Sequence, residues 1–172
     1  DAAVRQPGLG CQSRPVDGSG GAAAPIINHP DVKRMLLTMR AYTEGCRAMA
    51  LTAAAAFDAA HHHPDKEVRK QNQAFYEFMV PLVKGYSTEM SLEVTSLGVQ
   101  VHGGMGFIEE TGAAQHYRDA KILTIYEGTT AIQANDLVGR KTVRDGGAVA
   151  MGILAQVRAT EAQLAVRDNV DL

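Results

Sequence analysis

Two long apolar stripes at helical spacing constrain this chain more than any other feature. Val32, Met35, Leu36, Met39, Cys46, Met49, Ala53 and Phe57 recur at three- and four-residue steps, which lines one face of an α-helix. The spacing predicts a helix from about Pro30 to about Ala60, with Asn28 or His29 at its start and Pro30 in the first turn. The run Ala53–Ala56 favours helix and permits close packing. His61–His63 and Pro64 end it. Phe75, Phe78, Met79, Leu82, Tyr86, Met90, Val94, Leu97 and Val101 then carry a second helix from about Asp65 to about Val101, roughly 50 Å long at 1.5 Å per residue. Pro81 lies inside it and is expected to kink it by removing one backbone donor. Two long helices joined by a short turn imply an antiparallel pair.

The rest continues in the same manner. The cluster His102-Gly103-Gly104-Met105-Gly106 stops the second helix. A shorter helix is expected over about Ala113–Tyr126, interrupted by Glu127-Gly128. Thr130 and Gln133 have capping-box spacing and begin another, running to about Arg144. Gly146-Gly147 breaks it, and a last helical segment covers about Ala148–Val166, with Met151, Leu154, Val157 and Leu164 on one side. No period-2 pattern of useful length occurs. The fold class is therefore all-α, an up-down helical bundle. The organisation reads as an irregular Gly/Pro-rich leader over residues 1–28, a bundle over 29–145, and the start of a further helical segment over 146–172.

Bulk properties exclude several roles. A chain of 172 residues with 45% hydrophobic and 21% charged residues has a globular profile. The formal charge of −2 gives no electrostatic case for nucleic acid or an anionic membrane. No apolar run is long enough to span a bilayer and no secretory signal is visible. Cys11 and Cys46 offer neither a disulfide framework nor metal-ligand spacing, which fits a reducing cytoplasm. Consecutive histidines on a helix point in different directions, so His61-His62-His63 reads as a solvated helix end and no metal site is expected. The chain opens at Asp1 without an initiator Met, as a piece of something longer would.

Three stretches carry candidate chemistry. Gln100-Val101-His102-Gly103-Gly104-Met105-Gly106 is either a helix C-cap and turn, or a bare backbone that lets a phosphate or ring approach closely, with Gln100 adding a side-chain hydrogen bond. Tyr126-Glu127-Gly128-Thr129-Thr130 puts an acid at a break between helices. It is either a solvated acid at a helix start or a carboxylate that a flexible joint presents to a cleft, where desolvation makes it a usable base near neutral pH. Tyr117-Arg118-Asp119-Ala120-Lys121 is either a surface helix with local ion pairs or the place where Arg118 holds the preceding loop by a buried pair.

Taken in order, these stretches resemble the C-terminal signature of the acyl-CoA dehydrogenases: Gln100 to Ile108, then Tyr117 to Ile122, then Ile125 to Gln133, all within 34 residues. His29 to Glu44 and Asn135 to Lys141 resemble the larger subgroup, which includes enzymes of methylthio-propanoyl-CoA and long-chain acyl-CoA. The resemblance implies that a base removes the proton alpha to a thioester while the beta carbon gives a hydride to flavin N5, leaving a trans-2-enoyl-CoA. It makes Glu127 the catalytic base and places Gly128 at the acyl-CoA site. It sets Gln100, Val101, His102, Gly103 and Gly104 against FAD, typically that of a neighbouring subunit, and Thr129, Thr130 and Ala131 against FAD at the start of the next helix, whose free N–H groups suit pyrophosphate. Many relatives carry a polar residue where Ala131 stands, so that contact is left to backbone. The leader departs from the pattern, since Arg5-Gln6-Pro7-Gly8 is a poor match to the family's flavin motif.

The implied partners are an acyl-CoA substrate, an electron-transfer flavoprotein as acceptor, and further copies of the chain in a homodimer or homotetramer. The family's N-terminal helical domain and middle β-domain have no room in this chain. Two other readings stand beside the dehydrogenase: a non-catalytic helical oligomerisation module or truncated relic, and an acyl-CoA oxidase, which shares base and flavin but passes electrons to oxygen.

Overall fold

Proline and capping residues set where the two long helices begin and end. In the computed structural model, which describes residues 25–165, helix α1 spans Pro30–His62 and α2 spans Lys66–Val101. Pro30 occupies the first helical position, where its missing N–H costs nothing. His29 caps the start, its imidazole Nδ1 accepting the Asp31 N–H at 3.3 Å. Between the helices, the Asp65 carboxylate accepts the Glu67 N–H at 2.7 Å, a side-chain N-cap. The Arg69 guanidinium donates to the His63 and Pro64 carbonyls at 2.6 and 3.0 Å and ties down the turn. Helix α2 passes through Pro81 without interruption. The proline ring leaves the Glu77 carbonyl, four residues earlier, without its usual helical donor.

A 3₁₀ turn (Ile26–Asn28) precedes α1, and after α2 come a single turn α3 (Gly104–Phe107), a 3₁₀ turn (Glu109–Thr111), α4 (Ala113–Leu123), α5 (Thr130–Asn135), a π-helical segment (Asp136–Thr142) and α6 (Ala148–Ala165). Among the described residues there is no strand, and the fold is all-α. The expected helix to Arg144 is thus α-helical for one and a half turns and then widens. The Val143 N–H reaches the Val138 carbonyl at 2.9 Å, five residues back. Most of the leader, with Arg5–Gly8 and Cys11, lies outside the described residues, as do residues 166–172.

The chain divides into two compact units. The first combines residues up to Met49 with Gly85–Thr130. There the start of α1 runs antiparallel to the end of α2. Gly98 leaves room for Met39, whose Cε comes within 3.8 Å of where a Cβ would stand, and Cys46 lies beside Met90 and Val94. Met35, Val101, Ala113 and Ala120 are buried. The α3 turn, the 3₁₀ turn and α4 pack on one another. The Thr111 hydroxyl joins two of them by donating to the Met105 carbonyl at 2.6 Å, with the Ile108 carbonyl 3.1 Å away.

The second unit combines Ala50–Lys84 with the chain from Ala131 onward. Here Phe57 of α1 meets Tyr76 of α2 edge-on at 5.1 Å between ring centroids, a favoured aromatic geometry. Ala53 and Ala56 are buried, as their small size and place on the stripe imply. Phe57 was expected inside and is 41% exposed. The Lys141 ammonium lies 3.5 Å from the Glu77 carboxylate, and Arg140 pairs with Asp136 at 2.9 Å. Along α6, Met151, Leu154, Val157 and Leu164 are all exposed, between 47% and 60%. That stripe exists in the sequence but nothing in the described chain covers it.

Candidate active site

The joint between α4 and α5 departs most from ordinary backbone. Helix α4 closes with Thr124, which is buried and donates its hydroxyl to the Lys121 carbonyl at 3.0 Å. The Ile125 and Tyr126 N–H groups both return to the Ile122 carbonyl, at 3.0 and 3.1 Å. The next two residues are left-handed: Glu127 at φ 51° and Gly128 at φ 93°. Left-handed backbone is how many helices end, but glycine usually takes that role. Among the described residues Glu127 is the one non-glycine with positive φ. A Cβ there costs on the order of 1–2 kcal/mol. The fold therefore holds an acid where a glycine would be more stable, and it holds it exposed.

Helix α5 begins at Thr130, so Thr129 rather than Thr130 occupies the flanking position. The Thr130 hydroxyl is engaged outside its own helix. It donates to the carboxylate of Glu89, half-buried on α2 and 41 residues earlier in the chain. Local spacing could not register so distant an acceptor. Ala131 follows in α5 and is exposed.

The second stretch ends α2. Gln100 is exposed and Val101 is buried, so a ligand contact from position 101 falls to its backbone. His102 is half-buried, with Nδ1 2.8 Å from the Gly98 carbonyl. A carbonyl only accepts, so Nδ1 carries the proton. Gly103 is left-handed at φ 61° and Gly104 is not, and both are exposed. A Cβ built on either would meet nothing within 4 Å. Gly106 differs: its Cβ would lie 2.2 Å from the Val99 carbonyl oxygen, so packing inside the chain requires glycine there. Internal packing does not require it at Gly104. A bare, exposed backbone of this kind fits the close approach of a ring or phosphate.

Both stretches belong to the first unit. Thr130 is fixed to Glu89, and Gln100 stands eleven residues further along α2, roughly 16 Å along the helix. Arg118 does hold the preceding loop, with its guanidinium 3.4 Å from Glu109, but that pair is 49% and 81% exposed rather than buried. It contributes a few tenths of a kcal/mol at most. The His61 ring stacks on Phe57 at 4.1 Å and its Nδ1 bonds the Phe57 carbonyl at 2.8 Å.

Sequence comparison gives the family. The acyl-CoA dehydrogenase C-terminal domain profile matches residues 18–141, so the chain belongs to the acyl-CoA dehydrogenase family. It is 63% identical over 153 residues to 3-methylmercaptopropionyl-CoA dehydrogenase of Ruegeria pomeroyi, covering 89% of this chain and 26% of that protein. It is 41% identical over 138 residues to a broad-specificity linear acyl-CoA dehydrogenase of Mycobacterium tuberculosis, covering 77% and 22%. A butyryl-CoA dehydrogenase of Syntrophomonas wolfei matches at 37% over 136 residues, covering 78% and 22%. The chain thus spans about a quarter of the length of these relatives. No helix among the described residues is long and apolar enough to cross a membrane.

Proposed function

We propose that this chain is the catalytic C-terminal portion of an FAD-dependent acyl-CoA dehydrogenase, with Glu127 as the base. The observation that carries the reading is the strained, exposed, left-handed Glu127 beside Gly128, held in the joint between two helices. Strain of this kind persists where surrounding structure enforces it, and it gathers at working sites. The Glu127 carboxylate takes the proton alpha to the thioester of an acyl-CoA. Gly128 has no side chain to obstruct the acyl group. When bound, FAD supplies the acceptor for the beta hydride, and the product is a trans-2-enoyl-CoA. Gln100, His102, Gly103 and Gly104 offer it an uncluttered edge, with Val101 contributing backbone, while Thr129, Thr130 and Ala131 approach it through the start of α5. The likeness to 3-methylmercaptopropionyl-CoA dehydrogenase points to a thioether acyl-CoA as substrate. An electron-transfer flavoprotein is the proposed acceptor. The exposed Phe107, Leu37, Leu51 and Ile132, at 82%, 65%, 63% and 57%, suit coverage by the rest of the protein and by further copies.

In the full-length protein, Glu127→Gln is expected to keep its flavin and lose turnover. Retained turnover in a flavin-loaded variant would remove Glu127 from the role of base.

A further inference from the structure

We infer that Glu89 is a positioning residue for the Glu127 joint, acting through the Thr130 hydroxyl; the inference rests on the reading of Glu127 as the base. Glu127 and Gly128 are left-handed in succession, and nothing in an isolated chain would hold a glutamate there. The joint needs fixed points on either side. Thr124 supplies one, buried with its hydroxyl on the Lys121 carbonyl. Thr130 supplies the other. Its hydroxyl donates to Glu89, which lies well inside the 36-residue helix α2, about two thirds of the way along. A hydroxyl has a single proton to donate, so the Thr130 proton is committed within the chain.

From Glu127 to Thr130 the chain reaches at most roughly 10 Å. Anchoring Thr130 to α2 therefore confines the Glu127 backbone to a small region of space. A hydrogen bond to an ionised acceptor is among the stronger ones available to a half-buried group. A base displaced by about 1 Å is enough to slow a reaction severely. Glu89 itself touches no reacting atom in this account. Its effect falls on kcat, because it governs where the base stands in the transition state.

The test uses the flavin-loaded full-length protein. Glu89→Ala is expected to lower kcat about tenfold to a hundredfold with KM little changed, the effect of one lost charge-assisted hydrogen bond. Glu89→Gln keeps an accepting oxygen and should recover most of that loss. Thr130→Val, close to isosteric, should match Glu89→Ala and serves in its place if that variant folds poorly. The double variant should be no worse than about threefold below the lower single, since both remove one interaction. Amide hydrogen exchange over residues 125–129 should accelerate about tenfold in each single variant. Losses that multiply in the double variant, or unchanged kcat and exchange in both singles, would overturn the inference. Glu127→Gln, run alongside, separates the two claims. Turnover there removes the base, whereas a dead Glu127→Gln with full kcat in Glu89→Ala and Thr130→Val removes only the positioning role.

Discussion

Two glycines two residues apart should respond to alanine in opposite directions. At Gly106 the new Cβ would stand 2.2 Å from the Val99 carbonyl oxygen, 3.0 Å from the Val99 carbonyl carbon and 2.9 Å from His102 Cβ. Two of those atoms are backbone at the end of α2 and cannot rotate away. Overpacking of this kind costs about 1–3 kcal/mol, offset by up to about 1 kcal/mol from the better helix propensity of alanine. A net loss of about 1–2 kcal/mol lowers the melting temperature by roughly 2–8 °C in a domain of this size. At Gly104 a Cβ meets nothing within 4 Å, so Gly104→Ala should melt at or slightly above the parent. If Gly104 faces flavin as proposed, the variant should nevertheless reduce bound flavin, because the methyl group would occupy that surface. Circular-dichroism melts and flavin absorbance per protein read both quantities. A Gly106→Ala protein that melts as high as Gly104→Ala would refute the packing argument. Full flavin occupancy in Gly104→Ala would refute the reading of the bare backbone.

Further predictions follow from the joint and the surface charges. Glu127→Gly and Glu127→Ala both remove the carboxylate, but only glycine relieves the left-handed strain at φ 51°; the glycine variant should be more stable by about 1 kcal/mol, read as a higher melting temperature. The Glu77 carboxyl is held below the ordinary glutamate range, first by the Gln73 amide that donates to it at 2.8 Å and then by the Lys141 ammonium. A lowered folded-state pKa contributes stability that is present above the unfolded pKa and lost as pH falls through the folded one. Glu77 is half exposed, so the effect is only a few tenths of a kcal/mol. Melts of the parent and Glu77→Gln should therefore differ slightly near neutral pH and converge in acid.

The helices were legible because apolar spacing and punctuation agreed. The stripe from Val32 to Phe57, with Pro30 before it and Pro64 after it, leaves little choice but α1. Glu127 stood out in the sequence through its neighbours Tyr126, Gly128 and Thr129, yet its left-handed backbone did not, since few sequence signals select φ > 0 outside glycine. The π-helical stretch Asp136–Thr142 escaped because seven residues are too few to tell a five-residue hydrogen-bond step from a four-residue one. Glu89 escaped for another reason. Its partner is 41 residues away, and periodicity reports a residue's face on its own helix, not what the chain later lays against it. The helix begins at Thr130, as the capping-box spacing implied, but the tertiary acceptor of its hydroxyl left no mark on that spacing. The α6 stripe shows the converse limit. Apolar spacing states what a helix must cover, but the covering surface has to come from somewhere, and within the described chain it does not.

The central claim is that Glu127 removes the alpha proton, and proton exchange tests it without waiting for the hydride to move. Flavin-loaded full-length protein in deuterium oxide should place deuterium at the alpha carbon of a bound acyl-CoA. Glu127→Gln should do so about a hundred to ten thousand times more slowly, the usual contribution of a general base, with flavin content and acyl-CoA affinity unchanged. Exchange within a few-fold of the parent in that variant would contradict the account.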